Sequence, residues 1–185
     1  MKVEITPSHV AILVPSVRKA ADVLRQNDFE IGEEESFEET KEIYVQGRER
    51  NSLLLMEPKG AGSYQRALEK RGAGLHHLAI DVLNLEDFLE SLSGSGWLLH
   101  LNSLKSIKNY RTAYLARPGF PALIEVQEKK KLMTGPDLIE GISLQFNPHL
   151  EKLLKPIGLS KIITNSEKDF FMTARGKKID FRKLI

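Results

Sequence analysis

The chain repeats itself. Slid by 68 residues, "SHVAILVPSVRKAADVLRQNDFEI" (8–31) lies over "HHLAIDVLNLEDFLESLSGSGWLL" (76–99) without a gap. A repeat of this kind predicts one structural unit used twice, with the copies sharing a core that neither could complete alone. Val10, Ile12 and Val14 alternate in the first copy, as do Leu78, Ile80 and Val82 in the second, and each set predicts a strand. A helix follows in both. Val17, Ala21 and Leu24 recur at helical spacing, and so do Leu85, Phe88, Leu89 and Leu92. "QND" and "GSG" close these helices with residues that accept left-handed turns. Further strands are expected at "EIYVQG" and "SLLLMEP", and at "TAYLARPG" and "PALIEVQE". Between the copies, "GSYQRALEKRGAG" reads as a short helix and a glycine loop.

The repeat also duplicates a histidine. His9-Val-Ala-Ile and His77-Leu-Ala-Ile are the same tetrapeptide in conservative residues. A period of two puts Val10, Ile12 and Val14 under the unit's own helix and His9 and Ala11 on the opposite face. His77, Ala79 and Asp81 occupy that face in the second copy, while His76 is expected to point away. The small alanines leave room beside the two imidazoles, as a cavity requires. "ALIEVQE" then sets Glu125 inside an apolar strand, on the face opposite Ile124 and Val126. A carboxylate so placed is costly to bury unless it is paired or bound to a cation. Two imidazoles and one carboxylate suit a divalent ion with positions left open for substrate or water. Cobalt, manganese, nickel, iron or zinc fits such a mixed N/O set. The place in the first copy that matches Glu125 is Leu54, which cannot ligate.

Composition narrows the alternatives. The chain has 185 residues, no cysteine, and 27 basic against 25 acidic residues for a formal net charge of +2. Thiolate chemistry and disulfides are excluded, and the charge balance offers no case for nucleic acid. No apolar run reaches membrane-spanning length and the N-terminal stretch lacks a signal-peptide design, so a cytoplasmic protein with a small-molecule substrate and no membrane partner is expected.

Residues 6–128 resemble the vicinal oxygen chelate superfamily, which includes glyoxalase I, bleomycin-resistance proteins, extradiol dioxygenases and methylmalonyl-CoA epimerase. "SHVAILVPSVRKA", "LLLMEP", "ALEKRGAGLHHLAIDV" and "ALIEVQE" are similar, in order, to landmarks of the epimerase branch. The resemblance implies an α+β fold in which paired βαβββ modules, about 6–58 and 74–128, form a curled mixed sheet around a metal cavity within a domain spanning 1–128. It places His9, His77 and Glu125 on metal-ligand positions and the family's remaining ligand on Leu54. It implies proton transfer alpha to a thioester carbonyl through a metal-stabilised enolate, on a small molecule such as an acyl-CoA. The acid–base pair implied is Glu125 with Glu38, or with Glu39 or Glu35 after a register slip. Other branches imply other activities: a glyoxalase-type lyase, an extradiol dioxygenase using two His and one Glu, or a ligand-sequestering protein without catalysis. For the dioxygenase, Tyr114 sits near a catalytic tyrosine position, and His100 is the one candidate for a further histidine, with a turn or surface role expected for it.

Residues 129–185 exceed the resemblance. "EKKKLMTGPDL" reads as a linker, "EGISLQFNPHLEKLLKPIGLSKIIT" as strand–helix–strand, and "FFMTARGKKIDFRKL" as a hairpin turning at Gly176. This is expected to be a degraded third module, with Gly141 at the histidine position and Asp180 at that of Glu125, and with His149 on the surface at the helix start. A module without a partner inside the chain predicts a homodimer through paired third modules, or else a lid over the first two.

Overall fold

The computed structural model describes residues 3–46, 50–101, 103–166, 171–180 and 184. The first copy runs β1 (Ile5–Leu13), α1 (Val17–Arg25), β2 (Ile31–Ser36), β3 (Thr40–Val45) and β4 (Ser52–Pro58). After α2 (Ser63–Arg71) the second copy follows as β5 (Gly74–Val82), α3 (Leu85–Ser91), β6 (Leu98–Leu99), α4 (Ser103–Tyr110), β7 (Thr112–Ala116) and β8 (Leu123–Glu128). All eight strands form one sheet in the order β2-β3-β4-β1-β5-β8-β7-β6. In each copy the first strand pairs in parallel with the last, and β1 and β5 join the copies antiparallel. The sheet is an α+β architecture of two βαβββ units, the second carrying α4 as an insertion.

The repeat extends to the caps. Ser16 and Asn84 begin α1 and α3, and their side chains accept from the amides of Lys19 and Asp87. Glu57, at the end of β4, accepts from the Val17 amide at 3.0 Å, and Glu128, at the end of β8, accepts from the Leu85 amide at 2.9 Å. Each carboxylate therefore satisfies an unpaired donor at a positive helix end. Lys41 and Arg111 bind the same two carboxylates from the neighbouring strands.

The two faces of the sheet separate as alternation predicts. Val10, Ile12, Val14, Leu78, Ile80, Val82, Ile124 and Val126 join one large core with Leu24, Leu85 and Phe88 of the helices. Ala11, Leu13, Leu54 and Met56 form a smaller cluster on the opposite face, under Tyr64, Ala67 and Leu68 of α2. Helix α2 thus fills half of the histidine-bearing face.

The tail forms β9 (Ile139–Leu144), a 3-10 helix (Pro148–Leu154), β10 (Ile163–Asn165), β11 (Phe171–Ala174) and β12 (Lys177–Asp180). Arg175 (φ 50°) and Gly176 (φ 68°) make the expected hairpin turn with two left-handed residues. The strand order is β10-β9-β11-β12. Here β9 pairs in parallel with the strand that follows the helix, whereas in the first two units it is the last strand that does so. Asp180 consequently pairs with β11, not beside Gly141, and the expected correspondence with Glu125 does not hold. The physical reason is the short 3-10 connection, which returns the chain beside β9 before two further strands can intervene.

The apolar side of this small sheet is covered within the chain. Ile139, Ile142, Leu144, Leu154 and Met172 belong to the large helix-side core, so the small sheet does not lie over the histidines, while Lys129 and Met133 of the linker border the cavity beside His9. Trp97 donates its indole N–H to the Leu153 carbonyl at 2.9 Å, and the rings of Trp97, Phe120 and Phe146 pack in series. Gly158 (φ 73°) rests on Ile5, where a Cβ would meet the isoleucine side chain at 3.0 Å. The apolar residues of the small sheet therefore belong to the chain's own core. Among the described residues no helix is long and apolar enough to cross a membrane.

Candidate metal centre

Antiparallel pairing of β1 and β5 matches His9 with Ala79 and Ala11 with His77, symmetrically about Val10 and Leu78. Parallel pairing then sets Ala79 beside Glu125 and Ala11 beside Leu54. The register brings His9, His77 and Glu125 to one point, and makes Leu54 the counterpart of Glu125. His9 Nε2 lies 3.1 Å from His77 Nε2, and Glu125 Oε2 lies 3.0 Å from His77 Nε2 and 3.7 Å from His9 Nε2. Ligands bound at about 2.1 Å are separated by about 3.0 Å in adjacent octahedral positions and about 3.4 Å in a tetrahedron. The three separations bracket those values. All three residues are buried, and this is the metal-type cluster found among the described residues.

Their surroundings fit ligation. Gln127 donates to Glu125 Oε1 at 3.0 Å and the Tyr114 hydroxyl donates to the same oxygen at 3.4 Å, leaving Oε2 to face the histidines. His9 Nδ1 lies 3.4 Å from the Ser8 hydroxyl, and His77 Nδ1 lies 2.8 Å from His76 Nδ1. In the ligating tautomer each Nδ1–H is donated outward, so both Nε2 lone pairs converge with an anionic oxygen. A cation relieves that convergence.

His76 departs from the expectation that it points away. A bulge lies where pairing shifts from Ala11–His77 to Ile12–Leu75, leaving His76 unpaired. The extra residue cancels the alternation, and the His76 ring packs on Tyr64 at 5.1 Å on the inner face. In the ligating tautomer of His77, His76 Nδ1 is thus placed to accept its Nδ1–H. His76→Ala should weaken metal affinity about 10–100-fold, as loss of an outer-shell partner does. Competition with a chromophoric chelator would measure this, and an unchanged affinity would reject the orienting role.

Burial, then the neighbouring His77, lowers the pKa of His9 to about 3, and burial with the same neighbour lowers that of His76 to about 3. Burial alone would raise Glu125, but His77, His9 and Gln127 hold it well below the usual carboxylate range. The sign for stability follows. Unfolded histidines take up protons near pH 6.5, whereas these two resist until about 3, so the unfolded state binds more protons in between. The metal-free protein should lose stability as pH falls below about 6.5, by several kcal/mol in all at about 1.4 kcal/mol per pKa unit. Glu42 and Asp81, pushed up by burial, act with opposite sign near the carboxylate range and offset part of this. A lower unfolding temperature at pH 5 than at pH 7 is expected, and a higher one would contradict neutral buried imidazoles.

The structure does not bring Glu38 to the cluster. It lies exposed on the turn between β2 and β3, because β3 begins at Thr40 and pairs Glu42 with Met56 and Tyr44 with Leu54. Glu39 is exposed as well, and Glu35 pairs across from Glu42 on β2. Glu42 is the β3 carboxylate on the cavity wall. It and Tyr44 line a cavity of about 280 Å³ with His9, Ser52, Asp81 and Gln127. Burial raises the Glu42 pKa, against a 2.7 Å hydrogen bond from Thr40. Its signal was present in the alternation of Glu42 and Tyr44 with the core residues Ile43 and Val45. Tyr114 lies against Glu125, and burial followed by that carboxylate pushes its hydroxyl up. His100 sits at the β6–β7 edge, where its amide bonds the Tyr114 carbonyl, and His149 is exposed at the 3-10 helix start.

No protein-family model matches the chain, and comparison with curated proteins found no match. Solved structures do match. A hypothetical protein from Bacillus halodurans C-125 superposes with a TM-score of 0.58 at 21% identity, over 71% of this chain and 99% of that one. Methylmalonyl-CoA epimerase from Mycobacterium tuberculosis gives 0.52 at 22%, over 66% and 87%. A variant Streptomyces coelicolor methylmalonyl-CoA epimerase in complex with 2-nitronate-propionyl-CoA gives 0.54 at 17%, over 72% and 100%. The chain shares the fold of these proteins. At these identities the likeness establishes the fold alone, and the tail lengthens this chain beyond those neighbours.

Proposed function

We propose that the protein is a metal-dependent enzyme that moves a proton at a carbon next to a carbonyl, an isomerase of the methylmalonyl-CoA epimerase type. The observation that carries this is the convergence of His9, His77 and Glu125 beside a half-buried carboxylate, Glu42, on the cavity wall. Two of the similar epimerase structures are in complex with methylmalonyl-CoA or 2-nitronate-propionyl-CoA, which supports an acyl-CoA as the substrate class.

A divalent ion held by His9, His77 and Glu125 would supply Lewis acidity toward a substrate carbonyl or carboxylate oxygen. The remaining work belongs to the side chains. Glu42 on β3 and Glu125 on β8 stand on opposite sides of the two histidine strands, as inversion at one carbon requires of an acid and a base. Burial raises the Glu42 carboxyl and so improves it as a base. Gln127 and Tyr114 hold Glu125 in place. Tyr64 and Leu68 of α2, packed over Leu54, exclude water from the other half of the face.

Metal-loaded protein should exchange the α-proton of methylmalonyl-CoA in heavy water, read by proton NMR, and His9→Ala should abolish both metal retention and exchange. A metal-loaded protein that exchanges no α-proton would reject this reading. Tyr114 against Glu125 favours ring cleavage as the second reading, and oxygen uptake with catechols would select it.

A further inference from the structure

The inner face is symmetric in backbone and asymmetric in chemistry. The 68-residue shift that relates His9 to His77 relates Leu13 to Asp81, and the strand register relates Met56 to Gln127. Leu13 and Met56 are sealed under α2. Asp81 and Gln127 border the open cavity, with Ser8, Ser52 and Glu42. The fold therefore accepts leucine at this position, and nothing in the architecture demands a carboxylate there.

Asp81 is nonetheless 1% exposed, and its Oδ1 has no hydrogen-bond partner. The Thr6 hydroxyl, across the strand pair, is a second buried polar atom without one. Among the described residues no cation lies within 4 Å of Asp81; Lys129 borders the cavity farther out and is itself exposed. Burial pushes the Asp81 carboxyl up, with Lys129 and Ser8 offsetting part of the shift. The Ser8 side chain bonds the Asp81 carboxylate, but a buried carboxylate with one oxygen left unsatisfied still costs stability, and such a cost at a cavity wall marks a group kept for a ligand. Two residues beyond Ala79 on the His77 face, it is positioned to meet the part of a substrate that extends away from the metal.

We infer that Asp81 is a specificity-determining residue, and that the substrate carries a hydrogen-bond-donating, non-anionic group, a hydroxyl or an ammonium, that docks on it. This rests on the metal-centred reading above. Oxygens at the metal can be anionic, because the ion offsets their charge. A carboxylate reaching into the open half instead meets Asp81 and Glu42, which repel it.

Three hydroxamates test this, since each chelates the metal through vicinal oxygens and differs only beyond them. 3-Aminopropanohydroxamate should bind cobalt(II)-loaded protein at least about tenfold more tightly than succinate monohydroxamate, with acetohydroxamate between, because like charges brought together are penalised strongly. In Asp81→Asn the ratio should shrink to within about twofold, roughly the loss of that charge-assisted contact. In metal-free protein Asp81→Leu should raise the unfolding temperature, as removal of a buried carboxylate with an unsatisfied oxygen predicts. Cobalt absorption reports the centre independently. Protein that takes up no cobalt overturns both readings. Protein that takes up cobalt but binds the ammonium and carboxylate probes equally, or keeps its preference in Asp81→Asn, overturns this inference alone.

Discussion

Glu42→Gln is expected to lower α-proton exchange about 10²–10⁴-fold, the usual worth of a positioned general base. Metal affinity should stay within about twofold, because Glu42 is not part of the ligand cluster and the change is isosteric. Glu38→Gln should leave both properties unchanged, since Glu38 lies exposed on the β2–β3 turn. Measuring exchange by NMR and metal by competition on both variants separates the two carboxylates. Loss of exchange in Glu38→Gln with retention in Glu42→Gln would reverse the assignment. The pKa direction adds a control. Burial raises Glu42, so the rising limb of exchange with pH should lie above the ordinary glutamate range in the wild type. An unshifted limb would show that a different group sets the rate.

Truncation after Glu128 is expected to abolish cooperative folding. The tail contributes Ile139, Ile142, Leu144, Phe146, Leu154, Ile157 and Met172 to the same core that the helices α1 and α3 close, and it covers Trp97 and Phe120. Burial of each such side chain is worth about 1.5–3 kcal/mol. Seven together are worth roughly 10–20 kcal/mol, as much as the ~5–15 kcal/mol by which domains are stable. The truncated chain should aggregate or unfold without a sharp transition. In the full chain Phe146→Ala should cost about 3–5 kcal/mol, as large-to-small changes of buried aromatics do. Denaturant unfolding checks both. A truncated protein that unfolds sharply with an unchanged midpoint would show that the first two modules stand alone.

Strand faces and the sharing of one face by His9, His77 and Glu125 were legible because they depend on local period and on the repeat. His9 and His77 were readable from their place before alternating apolar residues. Glu125 was readable as a carboxylate where an apolar residue belonged. The place of Glu38 on the exposed β2–β3 turn was not legible, because only the pairing of Glu42 with Met56 fixes which residues of that stretch enter β3. His76 escaped because a single bulged residue inverts every side chain on one side of it.

The sequence by itself determined two copies of a βαβββ unit and three metal-type ligands on one face, since a period of two and a 68-residue shift are properties of the chain. Only the tertiary structure decided which half of that face stays open. That choice depends on where α2 lies, over Leu13, Leu54 and Met56 and not over Asp81 and Gln127, and no local pattern encodes it. It also decided the place of the tail, whose apolar strands could have met a second copy as readily as the chain's own helices. The chain's own helices lie within reach of a short linker, so the tail packs on them.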